Sequence, residues 1–163
     1  MVQYAKYESP LGPLLLEGEG DTLTGLWINR PVPESAVFPE EIPVLCRTAS
    51  WLDAYFRGAP REVDIPLTPR GTAFQQLVWQ RLRKIPCGQT DTYGAIAREI
   101  AVAMGKEKMS AQAVGQAVGK NPISILIPCH RVVGAKGQLT GYAGGMENKI
   151  WLLRHEGGYQ HDD

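Results

Sequence analysis

Between Ala59 and Pro69 the chain carries three prolines and no clear apolar period, and the residue pattern differs on its two sides. Before it, short apolar or alternating runs at Gln3–Tyr7, Leu14–Glu17 and Leu23–Ile28 predict strands. They are separated by Ser9-Pro-Leu-Gly-Pro13 and Gly18-Glu-Gly-Asp21, both with the composition of hairpin turns. Arg30–Pro39 holds three further prolines and reads as loop. Glu40 to Phe56 has apolar residues near helical spacing and stops at Arg57-Gly58. A single short strand is expected inside the proline-rich stretch, at Val63–Ile65. Beyond Pro69 the pattern turns helical. Thr72-Ala-Phe-Gln75 has capping-box form, and Pro86 and Gly88 end the helix it starts. Thr92 and Ser110 are placed to cap two more helices, the second over Ala111–Gly119, and two short helices joined by a turn have helix-turn-helix form. Leu139–Tyr142 is a candidate strand. Met146–His155 is a last helix, stopped by Gly157-Gly158. The chain therefore reads as α+β with two domains, residues 1–69 and 70–163.

Composition bounds the class. Hydrophobic residues make up 44% and charged residues 21%, ordinary values for a globular protein. No run approaches the roughly 18 apolar residues of a membrane span, and the N-terminus lacks a basic-then-apolar signal pattern. A cytoplasmic location is the expectation. Cys46, Cys87 and Cys129 are odd in number and widely spaced, unlike a disulfide framework or a paired-cysteine zinc site. Net charge is zero but uneven. Residues 1–69 hold 5 Lys+Arg against 10 Asp+Glu, and residues 70–163 hold 12 against 7. The basic half points to an anionic partner, with nucleic acid the leading candidate, unless the two halves simply attract each other.

The chemistry concentrates in Ile127-Pro-Cys-His-Arg-Val-Val133. Here an apolar run ends in a proline-fixed thiol, followed by an imidazole and a guanidinium. An ordinary thiol, with a pKa near 8.5, is only a few per cent thiolate at neutral pH, and a neighbouring base or cation raises that share. His130 is the candidate base. Neighbours on an extended backbone point to opposite sides, so a Cys129–His130 contact needs a tight turn or a bridging water. Glu156 on the last helix is the first choice to orient the imidazole. The competing reading of Cys129 is an inert core thiol. Cys87, in Ile85-Pro-Cys-Gly88, lacks the following His-Arg and is assigned no chemistry. Cys46 is expected in the core, His155 on the surface and His161 in the C-terminal tail. The third predicted helix shows mostly Ala and Gly, which permit close backbone approach to another helix or to a nucleic-acid groove read by shape. Lys120, Arg131 and Lys136 are candidate phosphate contacts, and Tyr93 can touch a backbone or base.

Pro128-Cys-His-Arg131, preceded by Gly119-Lys-Asn-Pro122 and followed by Gly141-Tyr-Ala-Gly-Gly145, resembles the active-site region of the O6-alkylguanine-DNA alkyltransferases. The resemblance also takes in Gly71-Thr-Ala-Phe-Gln75, Tyr93-Gly94, Ala113-Val-Gly115 and Trp151-Leu-Leu153. It covers essentially all of residues 70–158, with weaker similarity before that. It implies an N-terminal ribonuclease-H-like α/β domain and a mainly helical, winged-helix-like C-terminal domain. The implied activity is binding of double-stranded DNA in the minor groove, flipping of a damaged guanine and transfer of its O6-alkyl group to the cysteine. Transfer from O4 of thymine is a further implication. By position, Cys129 is the acceptor. His130, acting through a water and held by Glu156, is the base. Tyr93 assists protonation of the leaving guanine, and Asn121 braces the Cys129 turn. The Val132 backbone contacts the base, Tyr142 and Ala143 wall the pocket, and Gly144 and Gly145 keep that loop compact. Gln112, Ala113, Gly115, Lys120, Arg131 and Tyr93 meet DNA. No metal or organic cofactor is expected, and the protein is expected to be a monomer.

A thioether is a poor leaving group, so one turnover per molecule is expected. The added alkyl group should also overpack the site at a cost of about 1–3 kcal/mol. Two departures from the family pattern stand out. Gln112-Ala-Val-Gly115 occupies the place of an expected Arg-Ala-Val-Gly, removing the guanidinium that would fill the space of the flipped base. The interval from Tyr93 to Gln112 is also longer than usual, through Met104-Gly-Lys-Glu-Lys-Met109. That insertion lengthens either a helix or a turn and brings in Lys106 and Lys108. The alternative reading is an alkyltransferase-like protein that binds lesions with little or no transfer, a class that lacks the acceptor cysteine. A transcription regulator would need base-reading side chains on the third helix, where this chain has Ala and Gly. A thiol hydrolase would show prompt multiple turnover on an ester.

Overall fold

The computed structural model describes residues 1–158 and divides into two compact units, Met1–Arg70 with Pro122–Ser124, and Gly71–Asn121 with the residues from Ile125 onward. His161 lies outside the described residues. In the first unit, β1 (Val2–Ser9), β2 (Gly12–Glu19) and β3 (Thr22–Trp27) form an antiparallel sheet in that order. Two tight hairpins set the register: Ser9 faces Gly12 and Glu19 faces Thr22. Helix α1 (Pro43–Phe56) follows a 3-10 turn at Pro39–Glu41 and packs on this sheet with Leu45, Leu52 and Ala54 fully buried. Gly18 allows the close approach, since a Cβ there would come within 3.0 Å of Val44 and 3.1 Å of Leu45. Both sheet edges are covered, which removes open pairing sites. Val37 bridges Ala5 on β1, while Leu67 and Ile123 bridge Leu23 and Leu26 on β3.

The expected strand at Val63–Ile65 does not form. Pro66 has no N–H to give, and the chain pairs only where Leu23 donates to the Pro66 carbonyl and Thr68 donates back to Leu23. Cys46, expected in the core, is exposed on α1. Pro122–Ser124 was not anticipated as part of this unit. It joins through Leu26, whose N–H donates to the Pro122 carbonyl and whose carbonyl accepts from Ser124.

The second unit begins at α2 (Ala73–Leu82), whose capping box is complete: Gln75 N–H donates to Thr72 Oγ1, and the Gln75 side chain accepts from Thr72 N–H. The Arg81 side chain, near its end, pairs with Asp91 and Glu99. Helices α3 (Tyr93–Ala103) and α4 (Ala111–Gly119) start on Thr92 and Ser110 caps, as their sequences predict. Together they make the helix-turn-helix. The 104–109 insertion lengthens the turn rather than the helix, and both Lys106 and Lys108 are exposed there. Trp79 fills the centre of this unit, and its indole N–H donates to the Ala117 carbonyl of α4. The expected strand at Leu139–Tyr142 is absent, because the chain turns on Ala135–Gly137 and Gly134 N–H closes back onto the Gln138 carbonyl. Pairing occurs earlier instead, where β5 (Val132–Val133) lies parallel to β4 (Asp91–Thr92). Helix α5 (Met146–Glu156) closes the unit and ends at a left-handed Gly157. Among the described residues no helix is long and apolar enough to cross a membrane.

Candidate active site

Cys129, His130 and Arg131 form a single 3-10 turn rather than extended chain. Pro128 fixes its entry, and the Arg131 N–H closes it onto the Pro128 carbonyl. The tight turn that a Cys129–His130 contact was expected to need is therefore present, with successive side chains about 120° apart around its axis. Just upstream, Ile125 is buried with φ of 72°, a left-handed conformation that costs a β-branched residue on the order of 1–3 kcal/mol. Asn121 spans the bend, its Nδ2 donating to the Ile127 carbonyl at 2.8 Å.

The Cys129 thiol is buried, and that burial pushes its pKa up. Asn121, Tyr142 and the Lys149 charge act in the opposite direction on the sulfur. His130 is fully buried. Burial holds its pKa below the ordinary imidazole value even though Glu156 pulls it upward. Its Nε2 lies 2.7 Å from Glu156 Oε2, while Nδ1 is buried with no protein partner among the described residues. Burial alone would raise the Glu156 carboxyl, but His130 and then Arg131 hold it well below the usual carboxylate range. A neutral imidazole beside an ionised carboxylate carries its proton on Nε2. Nδ1 is left as the free base.

Arg131, expected at a DNA phosphate, turns its side chain into the protein. It is 9% exposed, and its guanidinium grips Glu156 through Nε at 2.8 Å and Nη2 at 3.0 Å, with Nη1 donating to the Ile85 carbonyl at 2.7 Å. Three of its five N–H donors are thereby spent inside the protein. Cys87 reaches the same cluster from the exposed side, and burial followed by the Glu156 charge raises its thiol.

Sequence reasoning missed Lys149. Its side chain is fully buried, and Nζ donates to the Val132 carbonyl at 2.7 Å and reaches the Thr140 carbonyl at 3.5 Å. Burial lowers its pKa to about 8, and the Cys129 charge acts upward. The signal was present in the spacing. Lys149, Leu152, Leu153 and Glu156 fall at i, i+3, i+4 and i+7, one face of α5, so both charged residues share the buried stripe. Val132, expected to meet the base through its backbone, spends one carbonyl lone pair on Lys149 and keeps another.

Tyr93, Gln112 and Gly115 come together around a shallow depression of about 490 Å³, with Ala111, Gln116, Thr140 and Gly141 completing it. Ala113 is half-buried in the first turn of α4, where its N–H is spent on Ser110, and Lys120 is exposed at the far end of that helix. Lys136 is exposed on its turn. Tyr142 is half-buried and Ala143 exposed. Gly144 is buried, its carbonyl taken by Asn148 at 2.7 Å. Gly145 has φ of 99° and its N–H closes on the Tyr142 carbonyl, so the loop can be this short only with glycine there. A larger cavity of about 920 Å³ lies in the first unit, between Lys6–Glu8 and the Arg30–Glu41 loop, and holds none of these residues. Among the described residues no three His, Cys, Asp or Glu side chains cluster with the arrangement of a metal site.

A helix-turn-helix unit that buries a thiol beside a neutral, carboxylate-fixed imidazole defines a protein of nucleophilic cysteine chemistry. The chain belongs to the 6-O-methylguanine DNA methyltransferase family: residues 2–69 match its ribonuclease-like domain and residues 73–158 its DNA binding domain. A methylated-DNA–protein-cysteine methyltransferase of Methanosarcina acetivorans is 47% identical over 160 residues, covering 94% of this chain and 97% of its own. The protein of the same name from Mycobacterium leprae is 44% identical, covering 96% and 93%. Among solved structures, Mycobacterium tuberculosis OGT in complex with DNA superposes with a TM-score of 0.82 at 43% identity, covering 95% of this chain and 92% of that one.

Proposed function

We propose that this protein repairs alkylated DNA by moving the alkyl group from guanine O6 to the sulfur of Cys129, once per molecule. The observation that carries this reading is the His130 ring, tied to Glu156 through Nε2 with Nδ1 left as a buried free base one residue from the thiol. His130 Nδ1 takes the thiol proton through a water, and the sulfur then attacks the alkyl carbon. As the S–C bond forms, the C–O6 bond breaks and its electrons pass to the guanine, which collects a proton with the help of the Tyr93 hydroxyl. The cycle ends with an S-alkyl thioether, an intact guanine and no oxidant or reductant consumed. Asn121 holds the turn, Lys149 keeps a positive charge near the developing thiolate, and Arg131 keeps Glu156 ionised. Approach to DNA runs over α4, whose first turn carries Gln112 and whose small residues allow the backbone close to the minor groove. The cytoplasm, where thiols stay reduced, suits a reaction that needs a free Cys129.

The test is a stoichiometry experiment. A duplex with labelled O6-methylguanine in excess over protein should lose label to the protein up to about one equivalent and then stop, and Cys129→Ser should take none. Continued turnover would move the protein to a hydrolase class. Binding of the lesion without transfer would make it a lesion sensor.

A further inference from the structure

Thr140 has no part in the chemistry just described, yet two anchors fix it against that chemistry. Its Oγ1 lies 2.9 Å from the Tyr93 hydroxyl, and its carbonyl faces the buried Lys149 ammonium at 3.5 Å, the same group that holds Val132. The loop behind it is folded tightly, with Gly134 N–H on the Gln138 carbonyl at 2.7 Å and the Thr140 methyl 3.4 Å from where a Gly134 side chain would begin. Tyr93 is set at the opening of α3, one residue after the capping Thr92. Both Tyr93 and Thr140 line the depression beneath Gln112.

A phenol has one proton to give, and its oxygen can also accept. If Tyr93 spent that proton on Thr140, none would remain for a base entering the depression. The reverse arrangement satisfies both groups. We propose that Thr140 is a positioning residue whose hydroxyl donates to the Tyr93 oxygen, fixing the ring and leaving the phenol proton directed at the incoming base. Accepting a hydrogen bond polarises the phenol and strengthens the bond its own proton makes. Lys149 supports the arrangement from behind by keeping the Thr140 backbone in place. This inference rests on the reading of Tyr93 as the group that assists protonation of the leaving guanine.

The experiment is a rapid-quench single-turnover assay on an O6-methylguanine duplex over a range of protein concentrations, which separates DNA affinity from the transfer rate constant. Thr140→Val keeps the shape and removes the hydroxyl. It should slow transfer by about 3- to 10-fold, the effect of one hydrogen bond, with Kd unchanged. Thr140→Ser should restore the rate. In a Tyr93→Phe background, Thr140→Val should have no further effect. Wild-type transfer by Thr140→Val, equal slowing by Ser and Val, or an undiminished effect in the Tyr93→Phe background overturns the role of Thr140. Tyr93→Phe at the wild-type rate overturns the reading of Tyr93 and this inference with it. Absence of transfer in the unmodified protein overturns the alkyl-transfer reading itself.

Discussion

Glu156 Oε2 lies 2.7 Å from His130 Nε2 while Oε1 of the same carboxylate lies 2.8 Å from Arg131 Nε, so one buried group fixes both residues that follow Cys129. The carboxylate side chain is 1% exposed, and its bond to Nε2 holds the imidazole proton on that nitrogen. Its proposed role is orientation, with consequences for both folding and reaction.

Glu156→Gln should weaken both. Removing the charge leaves the Arg131 guanidinium buried against a neutral amide, and breaking a buried pair in this way costs about 3–5 kcal/mol. For a chain of this size that is a fall of roughly 6–20 °C in Tm. Calorimetry or thermal unfolding by circular dichroism measures it. A Tm within a degree of the parent would mean that the pair contributes nothing.

The same groups make stability depend on acid. His130 has its pKa held below 6.5 in the folded protein and Glu156 its pKa held below 4.5. In each case the unfolded chain binds the proton first as pH falls, so folding is penalised. Stability should be level near neutrality, begin to fall below about pH 6.5 through His130, and fall further below about 4.5 through Glu156. Urea unfolding midpoints across pH 4–8 test the sign. A midpoint that rises on acidification would contradict it.

Lys149→Met separates stability from function. Lowering the lysine pKa from 10.5 to about 8 represents a burial cost on the order of 3 kcal/mol at neutral pH, which an apolar chain of similar length removes. Against this, the Val132 carbonyl loses its partner, at about 1–3 kcal/mol. Near-cancellation should leave Tm within a few degrees of the parent. The Cys129 thiol, however, loses a supporting charge, so alkyl transfer at pH 7 should slow by about 10-fold or more. Paired measurements of Tm and single-turnover rate decide the matter, and unchanged transfer would show that Lys149 plays no part in the reaction.

Gln112→Arg should strengthen the encounter with DNA. Gln112 is exposed in the first turn of α4 on the rim of the depression, with room for a longer side chain. One added cation near phosphate should tighten binding by roughly 2- to 10-fold at low salt and steepen the salt dependence by close to one counterion. Fluorescence anisotropy at several salt concentrations reads both quantities. Equal affinities and equal slopes would show that α4 does not approach the backbone at this position.

Local signals carried much of the fold. The hairpin turns, the Thr72, Thr92 and Ser110 caps and the Gly157 stop are written in a few adjacent residues, and the structure places each element there. Val63–Ile65 and Leu139–Tyr142 misled because β-rich composition does not reveal whether a partner strand is within reach, and here Pro66 and the Ala135–Gly137 turn intervene. Cys129, His130 and Glu156 were legible as chemistry. The inward grip of Arg131 was not, because a guanidinium beside a thiol reads equally as a DNA contact until the carboxylate it meets is located, 25 residues away. Thr140 was hidden for the same reason: its partners Tyr93 and Lys149 lie 47 and 9 residues from it in sequence.

The proposed acceptor of the alkyl group is Cys129. Incubating the protein with a duplex containing O6-methylguanine, then digesting it and mapping the peptides by mass spectrometry, tests that claim most directly. The predicted result is a mass increase of one methyl group, about 14 Da, confined to the peptide carrying Cys129, with Cys46 and the exposed Cys87 unmodified. A methyl group found on Cys87 or Cys46, or lesion loss from the DNA with no methylated peptide, would contradict it.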